Sequence, residues 1–471
     1  MIIGRKRDIA ELIRAYNSGR PEFIAIYGRR RVGKTYLVRQ VFKDKFTFTY
    51  SGVPKVSTKE QLRRFHKALM RQGMKKTAVP ENWFDAFDLL YDFVVGSTDS
   101  RKVIFIDELP WMDGPKSSFL PAFENLWNGW LSARDDVMLV VCGSSTSWII
   151  NKVIKNHGGL YNRLTNQIYL EPFTLAECKS YAESMRIRIP KRQIIEAYMV
   201  LGGIPFYWSL LQPAMSVAQN IDNLFFEKGA LLKNEFSELF ASLFKSPEPY
   251  EKIIEVLATR KAGMTRDEIA SKSGLDNNGG LTRLLGDLDN CGFIRRYVPP
   301  GVKTRGTIYQ IIDNFTLFYF QFLANGKNND RQYWSKLQIS PTYTTWSGLA
   351  FERVCLLHSD QIKKALGISG IITNVYAWQT PAKENRPGAQ IDLLIERSDN
   401  AIHICEMKFN KKEFTITEEY DKKLRNKINR FSEVTKTKKA LLLTLITAEG
   451  LTDNEYARDI PIVLTSDCLF D

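Results

Sequence analysis

The sequence lacks long apolar runs, paired cysteines and metal-type histidine spacings. Its longest apolar stretches have the length of a strand, far short of the ~18 residues that a membrane span requires, so no membrane partner is expected. Six cysteines and four histidines occur among 471 residues, without a C-x-x-C pair or a zinc-type spacing. Scattered cysteines of this kind are typical of buried thiols in a reducing cytosol, which predicts a cytoplasmic protein.

Length and net charge set further bounds. No signal peptide is expected, because the charged run Arg5-Lys6-Arg7 follows the first four residues directly. A chain of 471 residues exceeds the size of a single core and predicts two to four domains. The net charge of +14 suits a nucleic-acid partner, and it equally suits a solvated positive face.

Residues 28–35 read Gly-Arg-Arg-Arg-Val-Gly-Lys-Thr and match the phosphate loop G-x-x-x-x-G-K-[ST]. The motif requires a preceding strand and a following helix, and apolar runs of both kinds flank it. Its glycines let successive N–H groups face a polyphosphate, and the helix N-terminus adds a positive end. Lys34 is expected to reach the β- and γ-phosphates, and Thr35 to bind Mg²⁺. The residues of this segment predicted to contact nucleotide are Gly28, Arg31, Val32, Gly33, Lys34, Thr35 and Tyr36.

Polar residues follow two later strand-like runs. Asp107 and Glu108 come after the first, where a buried parallel strand presents ligand groups at its carboxyl end. Asp107 is expected to hold Mg²⁺ through water, and Glu108 to orient or deprotonate the attacking water. Ser144 follows the second run, at 137–142, and has two open interpretations. It contacts the γ-phosphate or the attacking water, as a sensor 1 residue does, or it belongs to a turn whose serine caps the next helix.

Arg163 precedes a further strand-like run at 167–170. One interpretation is a finger that contacts the γ-phosphate, either in its own chain or in a neighbouring subunit. A surface arginine is the other interpretation.

Together these segments resemble the archaeal-type ATPases, a branch near the signal-transducing STAND ATPases of the AAA+ class. The resemblance implies a P-loop ATPase core over residues 1–174 and a helical lid over 175–245. It also implies ATP as the nucleotide, with Gly4, Arg5 and Pro205 beside the adenine. The matching segments are Ile3-Gly4-Arg5, the loop 28–35, Asp107-Glu108-Leu109-Pro110, Gly143-Ser144-Ser145, Arg163 and Gly202-Gly203-Ile204-Pro205.

Residues 246–325 have the pattern of a winged helix-turn-helix, with Thr265 as the expected N-cap and Gly274 as the turn. Arg283 on the third helix would read DNA, while Lys303 and Arg305 on the wing would contact phosphates. The predicted helices are 249–258, 265–273 and 278–290, and a β-hairpin begins at residue 292.

A structural lever on the nucleotide module is the alternative for this segment. The third helix carries few cations, and Arg283 is expected to face Asp287 and Asp289.

After a predicted polar linker at 326–342, residues 343–471 show the order helix, strand, strand, strand, helix, strand. Within this order, acids fall at Glu352 on the first helix and Asp392 near the start of the second strand. Glu406 and Lys408 end the third strand and share one of its faces, because strand side chains alternate. The predicted elements are 348–366, 371–378, 391–397, 401–408, 418–434 and 440–447.

Clustered carboxylates with a nearby lysine suit Mg²⁺ or Mn²⁺, with Asp392 and Glu406 as ligands. The set Glu352, Asp392, Glu406 and Lys408 resembles that of the PD-(D/E)xK nucleases, which include restriction enzymes and Holliday-junction resolvases. It resembles more narrowly the domain of unknown function that commonly follows this ATPase. Between residues 408 and 439, eleven Lys/Arg against five Asp/Glu favour a phosphate partner, although a solvated helix face would look similar.

The expected fold class is α/β, with a P-loop NTPase core, a helical lid, a winged helix and a C-terminal αβββαβ restriction-endonuclease-like domain. The expected function is Mg²⁺-dependent ATP hydrolysis coupled to a domain that engages DNA and cuts it with a metal ion. The alternative is a STAND-like switch or transcriptional regulator that assembles into homo-oligomers with nucleotide. In that case the C-terminal domain binds without cutting.

Overall fold

A computed structural model of the chain describes residues 2–155, 158–299, 306–324, 330–383 and 386–471. The chain divides into two compact units, Met1–Pro172 and Phe173–Asp471. The boundary lies close to the predicted end of the nucleotide domain at residue 174. Subdivision of the second unit into lid, winged helix and nuclease-like domain stays a prediction.

The first unit is a five-stranded parallel sheet covered by helices on both faces. Its strand order is β2-β3-β4-β1-β5, and every neighbouring pair is parallel. The strands expected before the loop, before the two acids, before Ser144 and after Arg163 are all present. The elements are α1 (Lys6–Tyr16), β1 (Glu22–Tyr27), α2 (Lys34–Phe42), β2 (Phe46–Ser51), α3 (Thr58–Arg71), α4 (Trp83–Val95), β3 (Lys102–Asp107), α5 (Phe119–Gly129), β4 (Val137–Cys142), α6 (Thr146–Ile149) and β5 (Asn166–Tyr169).

Alternation along each strand builds two cores, one on each face of this sheet. On β1, Phe23 and Ala25 join the core formed with α3, α4 and α5. Ile24 and Ile26 join the core formed with α1 and α2. Because both faces are buried, the central strands β3, β4 and β1 are nearly continuous apolar runs with polar residues at their ends. The edge strand β2 differs, since Thr47 and Thr49 lie within it.

The second unit begins with helices and ends with a mixed sheet. Its elements are α7 (Leu175–Ser184), α8 (Lys191–Leu201), α9 (Pro205–Trp208), α10 (Val217–Phe225), α11 (Glu235–Leu243), α12 (Glu248–Ala258), β6 (Met264–Thr265), α13 (Arg266–Ser273), α14 (Gly279–Asn290), β7 (Ile294–Tyr297), β8 (Ile308–Ile311), α15 (Asn314–Phe322), α16 (Tyr333–Leu337), α17 (Pro341–Leu357), α18 (Ser359–Ala365), β9 (Thr373–Thr380), β10 (Ala389–Arg397), β11 (Ala401–Lys408), α19 (Glu418–Thr435), β12 (Ala440–Thr447), α20 (Glu455–Arg458) and β13 (Ile462–Thr465).

The middle of this unit contains the three expected helices and the expected hairpin. Thr265 caps α13 in a capping box with Glu268, and Gly274 ends the helix in the left-handed region at φ 70°, so both predicted roles are confirmed. Strands β7 and β8 are antiparallel, and the short β6 adds a third strand in the order β6-β8-β7.

The C-terminal sheet has the order β13-β12-β11-β10-β9. Strands β9, β10 and β11 are antiparallel, whereas β11, β12 and β13 are parallel. The register of β10 against β9 shifts between Ile391 and Leu394, which marks a β-bulge around Asp392. The edge strand β13 has no counterpart in the sequence prediction.

Two predicted boundaries need correction. Residues 333–337, interpreted as polar linker, form α16, whose Trp334 is fully buried among aromatic rings. Asp222 accepts hydrogen bonds from the backbone N–H groups of Trp334 and Ser335, which fixes the start of α16. The single helix predicted at 348–366 is two helices, α17 and α18, separated at His358.

All six cysteine side chains are buried, as expected. Within the described residues, none of the helices combines the length and apolarity needed to cross a membrane.

The imidazole of His358 links α7 to the end of α17. His358 is 1% exposed, its Nδ1 lies 2.8 Å from the carbonyl oxygen of Val354, and its Nε2 accepts the backbone N–H of Leu175 at 3.0 Å. Accepting at Nε2 requires a neutral ring that donates from Nδ1. Burial lowers the pKa of His358 to about 4, because the charged ring would lose its hydration.

We expect this histidine to make the second unit acid-sensitive. A histidine whose pKa is depressed in the fold contributes stability above the unfolded pKa, and that stability is lost as pH falls from about 6.5 to about 4. The loss is on the order of 3 kcal/mol, because the pKa of His358 lies at about 4 instead of 6.5. His358→Gln should therefore be less stable than wild type at pH 8 and lose less stability on acidification. Urea unfolding at pH 8 and pH 5 measures both differences, and parallel pH profiles would contradict the assignment.

Candidate functional site

The loop at residues 28–33 is shaped by two glycines and by close backbone packing. Gly28 has φ +137°, and a Cβ atom there would lie 2.5 Å from the carbonyl oxygen of Leu170. Gly33 has φ +97° and stands at the N-cap of α2. Both backbone conformations are ones that side chains strongly disfavour, so the motif requires glycine at these two positions. The loop consequently ends at the N-terminus of α2, where backbone N–H groups are available to an anion.

Lys34 folds back over this loop. Its ammonium donates to the carbonyl oxygens of Gly28 at 2.8 Å and Arg29 at 3.0 Å. The side chain is buried, so its charge lies against the loop and not in bulk water. The buried ammonium of Lys34 adds positive charge beside the N-terminus of α2.

Thr35, on the first turn of α2, contacts Asp107, the last residue of β3. Thr35 Oγ1 donates to Asp107 Oδ2 at 2.8 Å, and the Cys142 thiol donates to Asp107 Oδ1. Burial first, and then the charge of Asp107, hold the pKa of Cys142 well above its ordinary value, so the thiol remains protonated. Adjacent hydroxyl and carboxylate oxygens are the donors that a hard cation prefers, so Thr35 and Asp107 fit Mg²⁺.

Glu108 and Ser144 form a direct pair. Both the backbone N–H of Ser144 at 3.1 Å and its hydroxyl at 2.8 Å donate to Oε2 of Glu108. Glu108 has φ 49°, in the left-handed region, so the chain turns sharply at the end of β3. Of the two interpretations of this segment, the capping one is not seen. The N-cap of α6 is Ser145, whose side chain makes no capping hydrogen bond.

Two further residues hold the loop in place. Arg5 donates to the carbonyl oxygens of Glu171 and, at 3.2 Å, of Val32, so its guanidinium ties the loop to the segment after β5. Thr146, which the sequence interpretation missed, donates to the carbonyl oxygen of Gly28 at 3.0 Å. Its only sequence signal is a polar residue shortly after a buried strand.

Three further residues predicted for the nucleotide site, Gly4, Tyr36 and Pro205, lie in separate segments of the chain. Gly4 has φ 64° and, with Arg5, reverses the chain before α1. Tyr36 is exposed on the first turn of α2. Pro205 belongs to the second unit, where it begins α9.

Arg163 lies at the opposite edge of the sheet from the phosphate loop of the same chain. It is exposed and precedes β5, whose first residue Asn166 pairs with Ile24 in the middle of β1. The loop, in contrast, follows the carboxyl end of β1. Arg163 is therefore near the amino edge of the sheet, and the structure does not bring it to Lys34.

In the middle module, residues 246–325, Arg283 is the predicted nucleic-acid contact that lies within the described part of the chain. Arg283 is exposed on α14. Asp287 accepts the hydroxyl of Tyr250 at 2.7 Å, and Asp289 pairs with Arg296 at 3.1 Å. The predicted wing contacts Lys303 and Arg305 lie outside the described residues.

In the C-terminal site, a lysine from the middle module sits between two of the predicted acids. Lys261 Nζ pairs with Glu352 and lies 3.1 Å from Asp392 Oδ2. Gln390 Nε2 donates to the other oxygen of Asp392 at 2.7 Å. Burial first, and then Asp392, raise the pKa of Glu352 to about 7, although Lys261 acts in the opposite direction.

Glu406 is surrounded by donors of its own. Lys427 Nζ lies 2.6 Å from Glu406 Oε2, Lys408 Nζ lies 3.2 Å from Oε1, and the Tyr420 hydroxyl donates to Oε1. Burial would raise the pKa of Glu406, but Lys427 and Lys408 outweigh it and hold that pKa below its ordinary value. Met407 turns into the core, so the predicted alternation along β11 is confirmed.

The sequence interpretation assigns no role in the acid site to Lys261, Gln390, Tyr420 or Lys427. For α19 a signal existed, because Tyr420 and Lys427 are seven residues apart and therefore share the helix face of the buried Leu424. From the sequence, Lys427 is one of the cations between residues 408 and 439 that favour a phosphate partner. For Lys261 no local signal exists, since it lies 131 residues before Asp392.

The two predicted metal sites, Thr35 with Asp107 and Asp392 with Glu406, thus differ in the groups that pair with their acids. Among the described residues, no three His, Cys, Asp or Glu side chains are arranged to hold a metal ion. Asp392 pairs with one lysine and Glu406 with two others, so the predicted ligands of the C-terminal site do not fit a cation in this arrangement.

Comparison with known proteins places the first part of the chain. Residues 2–211 match the family model described as "ATPase domain predominantly from Archaea". The "Uncharacterized protein MJECL04" of Methanocaldococcus jannaschii is 27% identical over 360 residues, which are 75% of this chain and 76% of that protein. The "Uncharacterized ATP-binding protein MJ0423" of the same organism is 40% identical over 45 residues, which are 10% of this chain and 76% of that protein.

Solved structures show lower similarity. A Walker-type ATPase of Pyrococcus abyssi has a TM-score of 0.47 at 17% identity and covers 68% of this chain and 96% of its own. The ORC2 protein of Aeropyrum pernix has a TM-score of 0.39 at 14% identity and covers 69% of this chain and 94% of its own.

The family match and the geometry of residues 28–35 agree. Residues 2–211 of this chain are therefore an archaeal-type ATPase domain.

Proposed function

We propose that this chain binds ATP with Mg²⁺ at residues 28–35 and hydrolyses it. The observation that carries the proposal is the meeting of Lys34, Thr35, Asp107 and Glu108 at one edge of a parallel sheet, within an ATPase domain. Phosphate oxygens bind the N–H groups between the two glycines and the N-terminus of α2, and the Lys34 ammonium adds a positive charge beside them.

Hydrolysis in this proposal depends on Glu108. Thr35 and Asp107 would hold Mg²⁺, which neutralises charge on the β- and γ-phosphates when bound. Glu108 accepts the proton of the attacking water or orients that water. Both hydrogen bonds from Ser144 go to Oε2, so they fix the carboxylate and leave Oε1 for the water. Ser144 in this account positions Glu108, in addition to the sensor 1 role predicted from the sequence.

Arg163 is proposed to act on a neighbouring subunit. Its place at the amino edge, away from its own loop, favours a partner's nucleotide over its own. This assignment implies nucleotide-dependent homo-oligomers. In them, Arg163 of one subunit would complete the nucleotide site of the next subunit by contacting the γ-phosphate.

The second unit is proposed to engage DNA. Three helices and an antiparallel hairpin in residues 246–325 support a winged-helix assignment, with Arg283 exposed for contact. The αβββαβ order, the bulge at Asp392 and the shared face of Glu406 and Lys408 support a PD-(D/E)xK nuclease-like domain. Cutting with Mg²⁺ or Mn²⁺ would require Asp392 and Glu406 to be released from the lysines that pair with them.

A second candidate is a nucleotide-controlled switch whose C-terminal domain binds without cutting. It is favoured by one observation, the pairing of all three carboxylates, Glu352, Asp392 and Glu406, with lysines. Such a protein would use the ATPase domain to regulate assembly or transcription.

Replacing Lys34 tests the first part. Lys34→Ala is expected to lower Mg²⁺-dependent ATP turnover by about 100-fold, because a charge-assisted contact to phosphate contributes up to about 3 kcal/mol. Glu108→Gln should lose turnover while it still binds ATP, since Glu108 acts on the water and not on the phosphates. Steady-state phosphate release and nucleotide binding by fluorescence measure the two effects.

The matched control is Lys59→Ala, an exposed lysine on α3 of the same unit. It should hydrolyse ATP like wild type. Turnover by Lys34→Ala equal to that of this control would remove the loop from the mechanism.

Cleavage is tested with Asp392→Asn on plasmid and branched DNA in Mn²⁺. The substitution should lower cutting at least about 100-fold, because metal-assisted cleavage depends on several kcal/mol of charge stabilisation from the bound ion. Asp399→Asn, an exposed acid paired with Arg397 just after β10, is the control and should cut normally. Equal cutting by wild type and Asp392→Asn would remove Asp392 from the cleavage mechanism, whereas no cutting by either protein on every substrate would favour the non-cutting switch.

A further inference from the structure

Lys261 lies in the turn between α12 and β6, yet its side chain ends among the acids of the C-terminal sheet. Its ammonium contacts Glu352 on α17 and Asp392 on β10. The three side chains are 30%, 19% and 19% exposed, so the contact is largely shielded from water. A lysine from one module thus neutralises two carboxylates of another.

The turn that carries Lys261 is held by its backbone. The carbonyl oxygen of Lys261 accepts Gln310 Nε2 at 2.8 Å, and that of Ala262 accepts the Tyr297 hydroxyl at 3.1 Å. Gly263 has φ +81°, and a Cβ atom there would lie 2.4 Å from the carbonyl oxygen of Tyr309. Because the backbone is fixed against β7 and β8, Lys261 is aimed at the acids by the fold of its own module.

The charges explain why this contact persists. Burial alone would lower the pKa of Lys261, but Asp392 and Glu352 outweigh it and hold that pKa above its ordinary value. Without the ammonium, two carboxylates would face each other in a poorly solvated place. The buried guanidinium of Arg353 also acts on both acids and would remain. Loss of the Lys261 charge would nevertheless favour uptake of a proton or another cation by these carboxylates.

A divalent cation and Lys261 cannot share these oxygens. An ion bound by Glu352 and Asp392 would stand within contact distance of an ammonium, and like charges repel strongly where water is scarce. Glu406 offers no alternative site, since Lys427 and Lys408 already surround it.

We propose that Lys261 is a built-in competitor of divalent cations, which keeps the C-terminal acids from binding Mg²⁺ or Mn²⁺ until the turn withdraws. The inference rests on the proposed function of the C-terminal domain, in which these acids are metal ligands. It adds a regulatory role for the middle module. Any ligand that moves this module away from the sheet also exposes Glu352 and Asp392 to cations.

The test is Mn²⁺ binding to the full-length protein, measured by isothermal titration without DNA or nucleotide. Because the ATPase site also takes divalent cations, every variant carries Asp107→Asn, which removes that background. Lys261→Met keeps the length of the side chain and deletes its charge. It should bind Mn²⁺ about 10-fold more tightly than the Lys261 parent, within the usual range of coupling between two binding events. Affinity equal to that of the parent would overturn the proposal.

Three further variants make the result specific. Lys252→Met, an exposed lysine on α12 of the same module, should bind Mn²⁺ like the parent. Lys261→Arg retains a cation and should also bind weakly. Lys261→Met combined with Asp392→Asn should lose the gained affinity. Circular dichroism checks folding, and Lys261→Gln replaces the methionine variant if that variant does not fold.

The same proteins separate this inference from cleavage. Tighter Mn²⁺ binding by Lys261→Met with no DNA cutting supports Lys261 as a competitor and rejects nuclease activity. Unchanged Mn²⁺ binding together with cutting that depends on Asp392 supports the nuclease and rejects the role of Lys261.

Discussion

The close approach of the loop at residue 28 to the strand beside it is the constraint on which the nucleotide site depends. A side chain at Gly28 would overlap the backbone of Leu170, so only glycine lets β1 and β5 end side by side with the loop between them. Arg5 and Thr146 then hold the loop from two other directions through its carbonyl groups. The loop is therefore shaped before any ligand binds, which is the condition for backbone N–H groups to act as a preformed anion site.

The parallel sheet supplies the rest of the first site. Carboxyl ends of parallel strands meet at one edge, so Asp107 after β3 and Ser144 after β4 come beside a loop that follows β1. Hydrogen bonds from neutral groups, namely Thr35, Cys142 and Ser144, orient the two acids of this edge. Neutral donors leave the negative charge of the acids in place for a cation.

In the C-terminal site, the buried carboxylates are paired with a different kind of group. There the acids are held by ammonium groups, from Lys261 for Glu352 and Asp392 and from Lys408 and Lys427 for Glu406. Pairing with a lysine favours the charged form of a buried acid, although burial and Asp392 outweigh Lys261 at Glu352 and raise its pKa. An acid paired in this way is less available to an incoming ion. We therefore expect the two sites to respond oppositely to a divalent cation, although both contain acids carried by β-strands.

The sequence by itself determined the local features of this protein. The phosphate loop, its flanking strand and helix, the cap at Thr265 and the alternation of Glu406 and Lys408 all depend on neighbours within a few residues, where spacing and side-chain type suffice. Only the tertiary structure decided which charges meet. Lys261 and Asp392 are 131 residues apart, and Arg163 lies at the opposite edge from the loop because β5 runs parallel to β1. No local pattern encodes such pairings, since they arise from how separate elements pack and from the cost of burying a charge without a partner.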